Sequence, residues 1–477
     1  MLPWPRALAA TAGGAVPAME MGGKVRVLKP SDIQDLRAGL RGQLLVPGEE
    51  GYDAARKVWN GAFDRKPALI ARCAGAADVT RAVNFARANA LLVAVRGGGH
   101  SLSGQSVCDG GLMIDLSLMK AIRVDPLAKA ARLEPGVLLG QFDRETQAFG
   151  LATTAGTVSH TGAAGLTLGG GFGRIGRRFG LACDNLISAD VVTADGRFVK
   201  TSAQDNPDLL WGLRGGGGNF GIVTSFEFQL HEVGPGVIGG DLVFPFDGKA
   251  RDVLRAYADF IAGASDQLYC DVSIAPTPNG QRVIALDVCH SGTPAAAQKE
   301  LAQLRRIGTP IVDAVKPDTY VHIQNRGDDN FPAGRNYYIK SGFVRAITPQ
   351  VIDATVDFLA SAPNPTGLIV FAHQGGAISR VKPHATAFWH RETSHSFITV
   401  GFWDGKDGAT RNTDWVRAGW KTFEPLTSGF YVNELAHDDS EQRVKATYGD
   451  NYARLAALKK QYDPTNLFHL NANIRPA

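Results

Sequence analysis

An α+β protein of two domains is predicted by three observations. A helix-period pattern runs straight into a strand-like apolar run near residues 78–95, two β-branched segments flank an Asp-Gly turn at residues 195–196, and composition changes near residues 231–240. Beyond that change, helix-like and strand-like stretches alternate.

In chain order, Val79, Ala82, Val83 and Ala86 recur at i, i+3, i+4 and i+7, which predicts a helix over Asp78–Asn89. Leu91 to Val95 follows at once and predicts a strand buried on both faces. Ala189–Ala194 and Arg197–Lys200 flank Asp195-Gly196, the signal of an antiparallel hairpin. Pro207 opens a short helix to Leu213, because proline suits a first helical position. Ile222 to Leu230 alternates as a strand with Thr224, Phe226, Phe228 and Leu230 on one face. Gly and Pro cluster over His231–Gly240 and mark a boundary. Helices are then expected over Gly248–Ala264, Ala295–Arg306 and Thr348–Ala362, with strands at Gly367–Phe371 and His395–Phe402. Ser440 to Lys460 reads as one helix stopped by Tyr462-Asp463-Pro464.

The chain has 477 residues, 44% of them hydrophobic, and 50 Lys+Arg against 46 Asp+Glu leave a net charge of +4. A chain of this length buries roughly three quarters of its unfolded surface, so it needs no covalent staples. The small positive balance comes without Lys/Arg blocks, which excludes nucleic-acid and membrane binding and favours a small-molecule partner. Cys73, Cys108, Cys183, Cys270 and Cys289 contain no C-x-x-C pair, so neither a disulfide framework nor a cysteine metal site is expected. His373, His384, His390 and His395 have no metal-ligand spacing, and no metal is assigned. No G-x-S-x-G points to a hydrolase. The stretch Met1–Met21 has a leader-like Ala-rich run and a cleavage-like Val16-Pro17-Ala18, interrupted by Gly13-Gly14. A cytoplasmic location is expected, with secretion or a periplasmic site as the alternative, and no eighteen-residue apolar run suggests a membrane span.

Glycine is the unusual residue: 56 of 477, about 12% where about 7% is ordinary. Three clusters hold many of them: Arg96 to Ser101 (RGGGHS), Gly165 to Gly176 (GLTLGGGFGRIG) and Gly215 to Gly221 (GGGGNFG). Two fit G-x-G-x-x-G, but a dinucleotide fingerprint needs a strand before and a helix after. Around Gly216 that order is reversed, so a Rossmann site is rejected. The clusters still suit close approach of backbone N–H groups to a pyrophosphate or a flat ring. Arg174, Arg177 and Arg178 beside the second cluster are candidates for phosphate contact or for a solvated basic loop.

RGGGHS, the run Thr153 to Asn185 and Asp208 to Gly221 (DLLWGLRGGGGNFG) together resemble the berberine-bridge-enzyme-like, FAD-linked oxidases of the vanillyl-alcohol-oxidase superfamily. The likeness covers Trp59–Glu232 and returns over Tyr448–Pro476. It implies an FAD-binding domain of the PCMH type at 41–235, after an N-terminal extension at 1–40. A substrate domain with an antiparallel sheet under helices is expected at 236–428, and the chain returns to the flavin domain at 429–477.

The resemblance also implies covalent attachment of FAD through its 8α-methyl to His100. The first cluster would hold the cofactor through Arg96, Gly97, Gly98, Gly99, Ser101, Gly104 and Gln105. The second region contributes Gly156, Thr157, Thr161, Gly162, Gly165, Leu166, Gly169, Gly170, Gly171 and Gly173. Gly218, Gly221, Val223, Asn471 and Asn473 complete the set. Many relatives add a second, cysteine link in a G-T-C segment. Here Gly156-Thr157-Val158 places valine there, so one link is expected, with a lower flavin potential and a site less suited to bulky carbohydrates.

For the chemistry, the family's Y-x-N segment matches Tyr431 and Asn433, expected on one face of a strand. Tyr431 is expected as base or proton relay, activated by Lys340, which shares a strand face with Tyr338. Glu434 stands where relatives often have an aromatic. The implied activity removes a hydride from a C–H next to O or N of a small organic or secondary-metabolite substrate, and O2 reoxidises the flavin. Oxygenation of the substrate and a catalytically silent flavin-binding protein are the alternatives. A monomer or homodimer is expected.

Overall fold

The computed structural model describes residues 14–477, apart from residue 361 and residues 363–366. It has a mixed helix and sheet architecture in which three larger sheets surround one cavity. The first sheet runs Gln43–Leu45, Leu69–Arg72, Leu112–Asp115, Val93–Arg96, with the last three strands parallel. The predicted helix is present as Ala76–Ala88, and Val79, Ala82, Val83 and Ala86 are its fully buried stripe. The strand after it starts at Val93, two residues later than the apolar run suggested.

Residues 16–38 form a hairpin and a helix that pack into the same core as this sheet. Val16-Pro17-Ala18 is a buried strand segment. The rest of the leader-like stretch, before residue 14, lies outside the described residues.

The second sheet is antiparallel, in the order Phe198–Thr201, Leu186–Val192, Ile222–Gln229, Ala130–Leu133, Ile122–Asp125. It contains the predicted hairpin and the predicted alternating strand. The Pro207–Leu213 helix lies where proline placed it.

The third sheet is antiparallel throughout. Its path is Val312–Asp313, Gly236–Pro245, Arg282–His290, Leu268–Pro276, Leu368–His373, His395–Trp403, Asn336–Val344, with Lys316–Thr319 paired beside Gly236–Pro245. Four helices, Ala250–Ile261, Pro294–Leu304, Pro349–Ala360 and Ala409–Phe423, bury one face in a core that includes Val272, Leu286, Phe371 and Phe397. The opposite face borders the cavity.

The single C-terminal helix expected over Ser440–Lys460 is two helices, Glu441–Tyr448 and Tyr452–Tyr462. Gly449 separates them at φ +49°, where a Cβ would stand 2.4 Å from the Trp389 ring, so only glycine lets the chain turn there. Lys459, fully buried, then ties the end of the chain to the third glycine cluster. Its ammonium donates to Asn219 O at 2.8 Å, Phe468 O at 2.9 Å and Asp463 Oδ2 at 2.6 Å. No helix among the described residues is long and apolar enough to cross a membrane.

Candidate active site

The cavity measures about 490 Å³, within the range of small-molecule sites. Its floor is backbone. Gly97, Gly98, Gly99, Gly156, Gly162, Gly165, Gly218 and Gly221 border it. A Cβ on Gly98 would stand 2.4 Å from Gly162 Cα, so the two chain segments touch main chain to main chain. At Gly165 and Gly218 a Cβ would meet nothing within 4 Å, so side chains there would fill the cavity itself.

His100 follows the strand Val93–Arg96 and borders the cavity. Trp59 stacks on its ring at 4.1 Å, and Tyr337 stacks on the other face of Trp59 at 4.2 Å. The Trp59 backbone N–H donates to Gly99 O at 3.0 Å and so fixes the stack to the first cluster. Burial, reinforced by His160 with its ring 5.1 Å away, pushes the His100 pKa down to about 3. The imidazole is therefore neutral, and its buried Nε2 has no hydrogen-bond partner.

Most of the residues expected to hold the cofactor meet here: the glycines named above, Ser101, Gln105, Thr157, Thr161, Leu166, Val223 and Asn471 border the cavity with His100. Others do not border it. Arg96 turns away to Ala55 O and approaches Asp115. Gly104 packs on the Phe63 ring. Asn473 borders a second, smaller pocket. Gly169, Gly170, Gly171 and Gly173 lie behind the floor, where Cβ atoms would strike Asn433, Phe388, Ala182 and Ala155 O. Their role is close packing. Val158 borders the cavity and no cysteine among the described residues does.

Tyr431 and Asn433 also border the cavity, but not from a strand. Tyr431 precedes a 3-10 turn over Val432–Glu434, and the turn brings Asn433 Nδ2 to 2.8 Å from Tyr431 Oη. Gly171 N–H donates to the same oxygen at 2.9 Å. Burial raises the Tyr431 pKa well above its ordinary value, which stabilises its phenol form.

Lys340 does not activate it. Tyr338 and Lys340 share a strand face as expected, but that face turns away from the cavity. Lys340 Nζ pairs with Asp438 Oδ1 at 3.1 Å and Asp439 Oδ1 at 2.5 Å, and Tyr338 Oη donates to Asp438 Oδ2 at 2.9 Å. Tyr337 and Ile339, one residue out of phase, border the cavity.

None of the three arginines beside the second cluster borders the cavity, and Arg174 and Arg177 are buried while Arg178 is half-buried. Arg174 pairs with Asp287 at 2.7 Å and donates to Gln324 Oε1 at 3.1 Å. Arg177 donates to the carbonyls of Gln374, Ala264 and Ser265. Arg178 donates to Ser291 O at 2.8 Å and lies over Phe179.

Sequence reasoning missed the wall opposite the floor. The cavity-facing side of the third sheet presents Tyr269, Asp271, Val370, Ala372, Ile398 and Val400, and Phe331 and Glu434 join them. Burial raises the pKa of both Asp271 and Glu434 to about 7. A signal for Asp271 existed: an acid inside the apolar run Leu268–Ile274 is rarely buried without a reason.

A family described as an FAD binding domain matches residues 67–202, and one described as berberine and berberine like matches residues 430–475. An FAD-linked oxidoreductase of Aspergillus terreus is 40% identical over 484 residues, spanning 94% of this chain and 97% of the relative. The (R)-6-hydroxynicotine oxidase of Paenarthrobacter nicotinovorans is 31% identical over 92% of this chain and 97% of its own length. The solved structure of 6-hydroxy-D-nicotine oxidase from Arthrobacter nicotinovorans superposes with a TM-score of 0.86 at 28% identity, covering 92% of this chain and 98% of that one. With the glycine floor at 97–99, 156–165 and 218–221 closed by the returning segment at 468–472, these likenesses have one meaning: the chain is an enzyme of the berberine-bridge-enzyme-like family of FAD-linked oxidoreductases.

Proposed function

We propose that this enzyme is an oxidase whose FAD is joined through its 8α-methyl to His100 alone, and which oxidises a C–H next to O or N of a small organic substrate, with O2 as final acceptor. The observation that carries this reading is the buried, unpartnered Nε2 of a neutral His100 on the rim of a glycine floor. A neutral imidazole is the nucleophilic form, and a buried polar atom without a partner calls for one. Val158 offers no sulfur, which supports a single link.

When bound, FAD supplies the two-electron acceptor. The floor glycines at 97–99, 156, 162 and 218 would hold it, with Ser101, Gln105 and Asn471 at the edge. Tyr431 Oη already accepts from Gly171 and Asn433, so its own O–H is left to donate into the cavity and orient the substrate's O or N. In this reading 41–235 and 429–477 form the flavin domain and 236–428 the substrate domain.

The test is an absorbance spectrum of the purified protein, then acid precipitation and intact mass of the pellet. A yellow pellet carrying the mass of one FAD, lost in His100→Ala, is expected, together with hydrogen peroxide release on turnover. A colourless pellet with free FAD in the supernatant overturns the attachment.

A further inference from the structure

One part of the cavity floor belongs to no helix or strand: the segment Gly156–Ser159. It is gripped from residues 324–328, on the far side of the composition change near 231–240. Gln324, buried on the helix Tyr320–Asn325, donates from Nε2 to Gly156 O at 3.1 Å and to Asp143 Oδ2 at 3.2 Å. Asp328 accepts from Ser159 N–H at 2.7 Å on Oδ1 and from the Ser159 hydroxyl on Oδ2. Arg174 Nη1 donates to Thr157 O at 3.3 Å and is itself held by Gln324 and Asp287.

What this segment carries matters for the cofactor. Gly156, Thr157 and Val158 border the cavity, and His160, next after Ser159, brings its ring to 5.1 Å from that of His100. A loop without a helix or sheet ladder keeps its shape only through the partners its main-chain groups find. Gly140 N–H and Thr161 N–H supply two of these, to Ser159 O and Val158 O. The remaining grip on Gly156 and Ser159 comes from Gln324 and Asp328, and neither of those side chains borders the cavity.

We propose that Asp328, with Gln324 beside it, is a positioning residue of the cofactor site: it sets the 156–160 segment against the flavin, so the site is incomplete without residues 324–328. This rests on the flavin reading above and extends the site across the domain boundary. A carboxylate that takes both the N–H and the O–H of one residue makes two charge-assisted bonds and fixes that residue's orientation as a single bond does not. Mere attachment of one domain to the other is already served by the helix Tyr320–Asn325 packing on Leu139–Gln147. The Asp328 bonds end instead on the loop that forms the floor.

The experiment is titration of FAD into full-length His100→Ala protein, where binding is reversible, with and without Asp328→Ala. Binding is followed by flavin fluorescence and by the shape of the visible absorption band. Asp328→Ala is expected to weaken FAD by about tenfold, the equivalent of one such bond, and to blur the fine structure of the band. Asp328→Asn keeps an acceptor for Ser159 N–H and should recover most of the loss. Ser159→Ala should weaken FAD less, and adding it to Asp328→Ala should cost nothing further, because both act through one contact. Asp329→Ala, at the exposed neighbour, should change nothing.

FAD affinity within twofold of the parent and an unchanged band in Asp328→Ala overturn the proposal. So does an equal loss in Asp328→Asn with an additive effect of Ser159→Ala, which would mean general loosening. Gln324→Leu should act in the same direction as Asp328→Ala; if it does not fold, the Asp328 series decides alone. With His100 intact, the same variants are read by the band shape and midpoint potential of the bound flavin, so a His100→Ala protein that fails to fold leaves the test standing. A wild-type protein that binds no flavin would sink the reading beneath this one, whereas flavin-loaded wild type with an unmoved Asp328→Ala sinks this inference alone.

Discussion

The floor and the wall of the cavity are held by different physics. The floor is main chain against main chain, as where Gly98 and Gly162 leave no room for a methyl group. The wall is side chains on a regular antiparallel sheet whose strands are held together by main-chain pairing. Floor geometry is therefore dictated by the absence of side chains, and wall chemistry by their identity. A family can keep the first and vary the second.

The strongest way to break this contrast is Gly98→Val. A branched side chain must push Gly162 away with no flexible atom to yield, which costs about 1–3 kcal/mol or more. Loss of bound flavin, read as the ratio of flavin to protein absorbance, is expected to be nearly complete; normal flavin content would refute the rigid floor.

The wall should instead show itself through pH. Asp271 has a folded pKa of about 7, above its unfolded value near 4. Between those values the folded state holds the extra proton, so stability is lost as pH rises from 4 to 7 and is flat above, with a slope of at most about 1.4 kcal/mol per pH unit from this group. Denaturant unfolding across this range checks the sign, and Asp271→Asn should flatten the slope while flavin content stays normal.

The smallest effect belongs to the outward strand face. Tyr338→Phe removes the hydroxyl's donation to Asp438 at 2.9 Å and its acceptance from Arg417 Nε at 3.2 Å and should cost about 1–3 kcal/mol. Turnover should stay within twofold, because Tyr338 faces away from the cavity. A tenfold loss would return Tyr338 to the active site.

What the sequence showed and what it hid follow the same division. The helix at 76–88 and the strand at 222–229 were legible because each has one solvated face, so the period is written in the residues. Asn336–Val344 is buried on both faces, and alternation there tells which residues share a side but not which side meets the cavity. Tyr338 and Lys340 were placed on the wrong side for that reason. The floor was legible from glycine alone, although the glycines at 169–173 proved to be packing rather than surface. Glu434 stood out in the sequence as a departure from the family's aromatic, but the turn at 432–434 that carries it and Asn433 to the cavity did not, since Y-x-N reads as a strand.

The closing of the floor by residues 468–472 has a consequence for how the enzyme is made. Gln105 Nε2 donates to Asn471 O across a separation of 366 residues, and Asn219 Nδ2 donates to Ala472 O. A chain emerging from the ribosome at about 5–20 residues per second passes at least eighteen seconds between these two halves of one contact. During that interval the flavin domain has its glycine loops but no rim. Complete enclosure of the cavity is therefore a late event, after synthesis of residues 236–428, and a chain stalled before residue 468 would expose an unfinished floor.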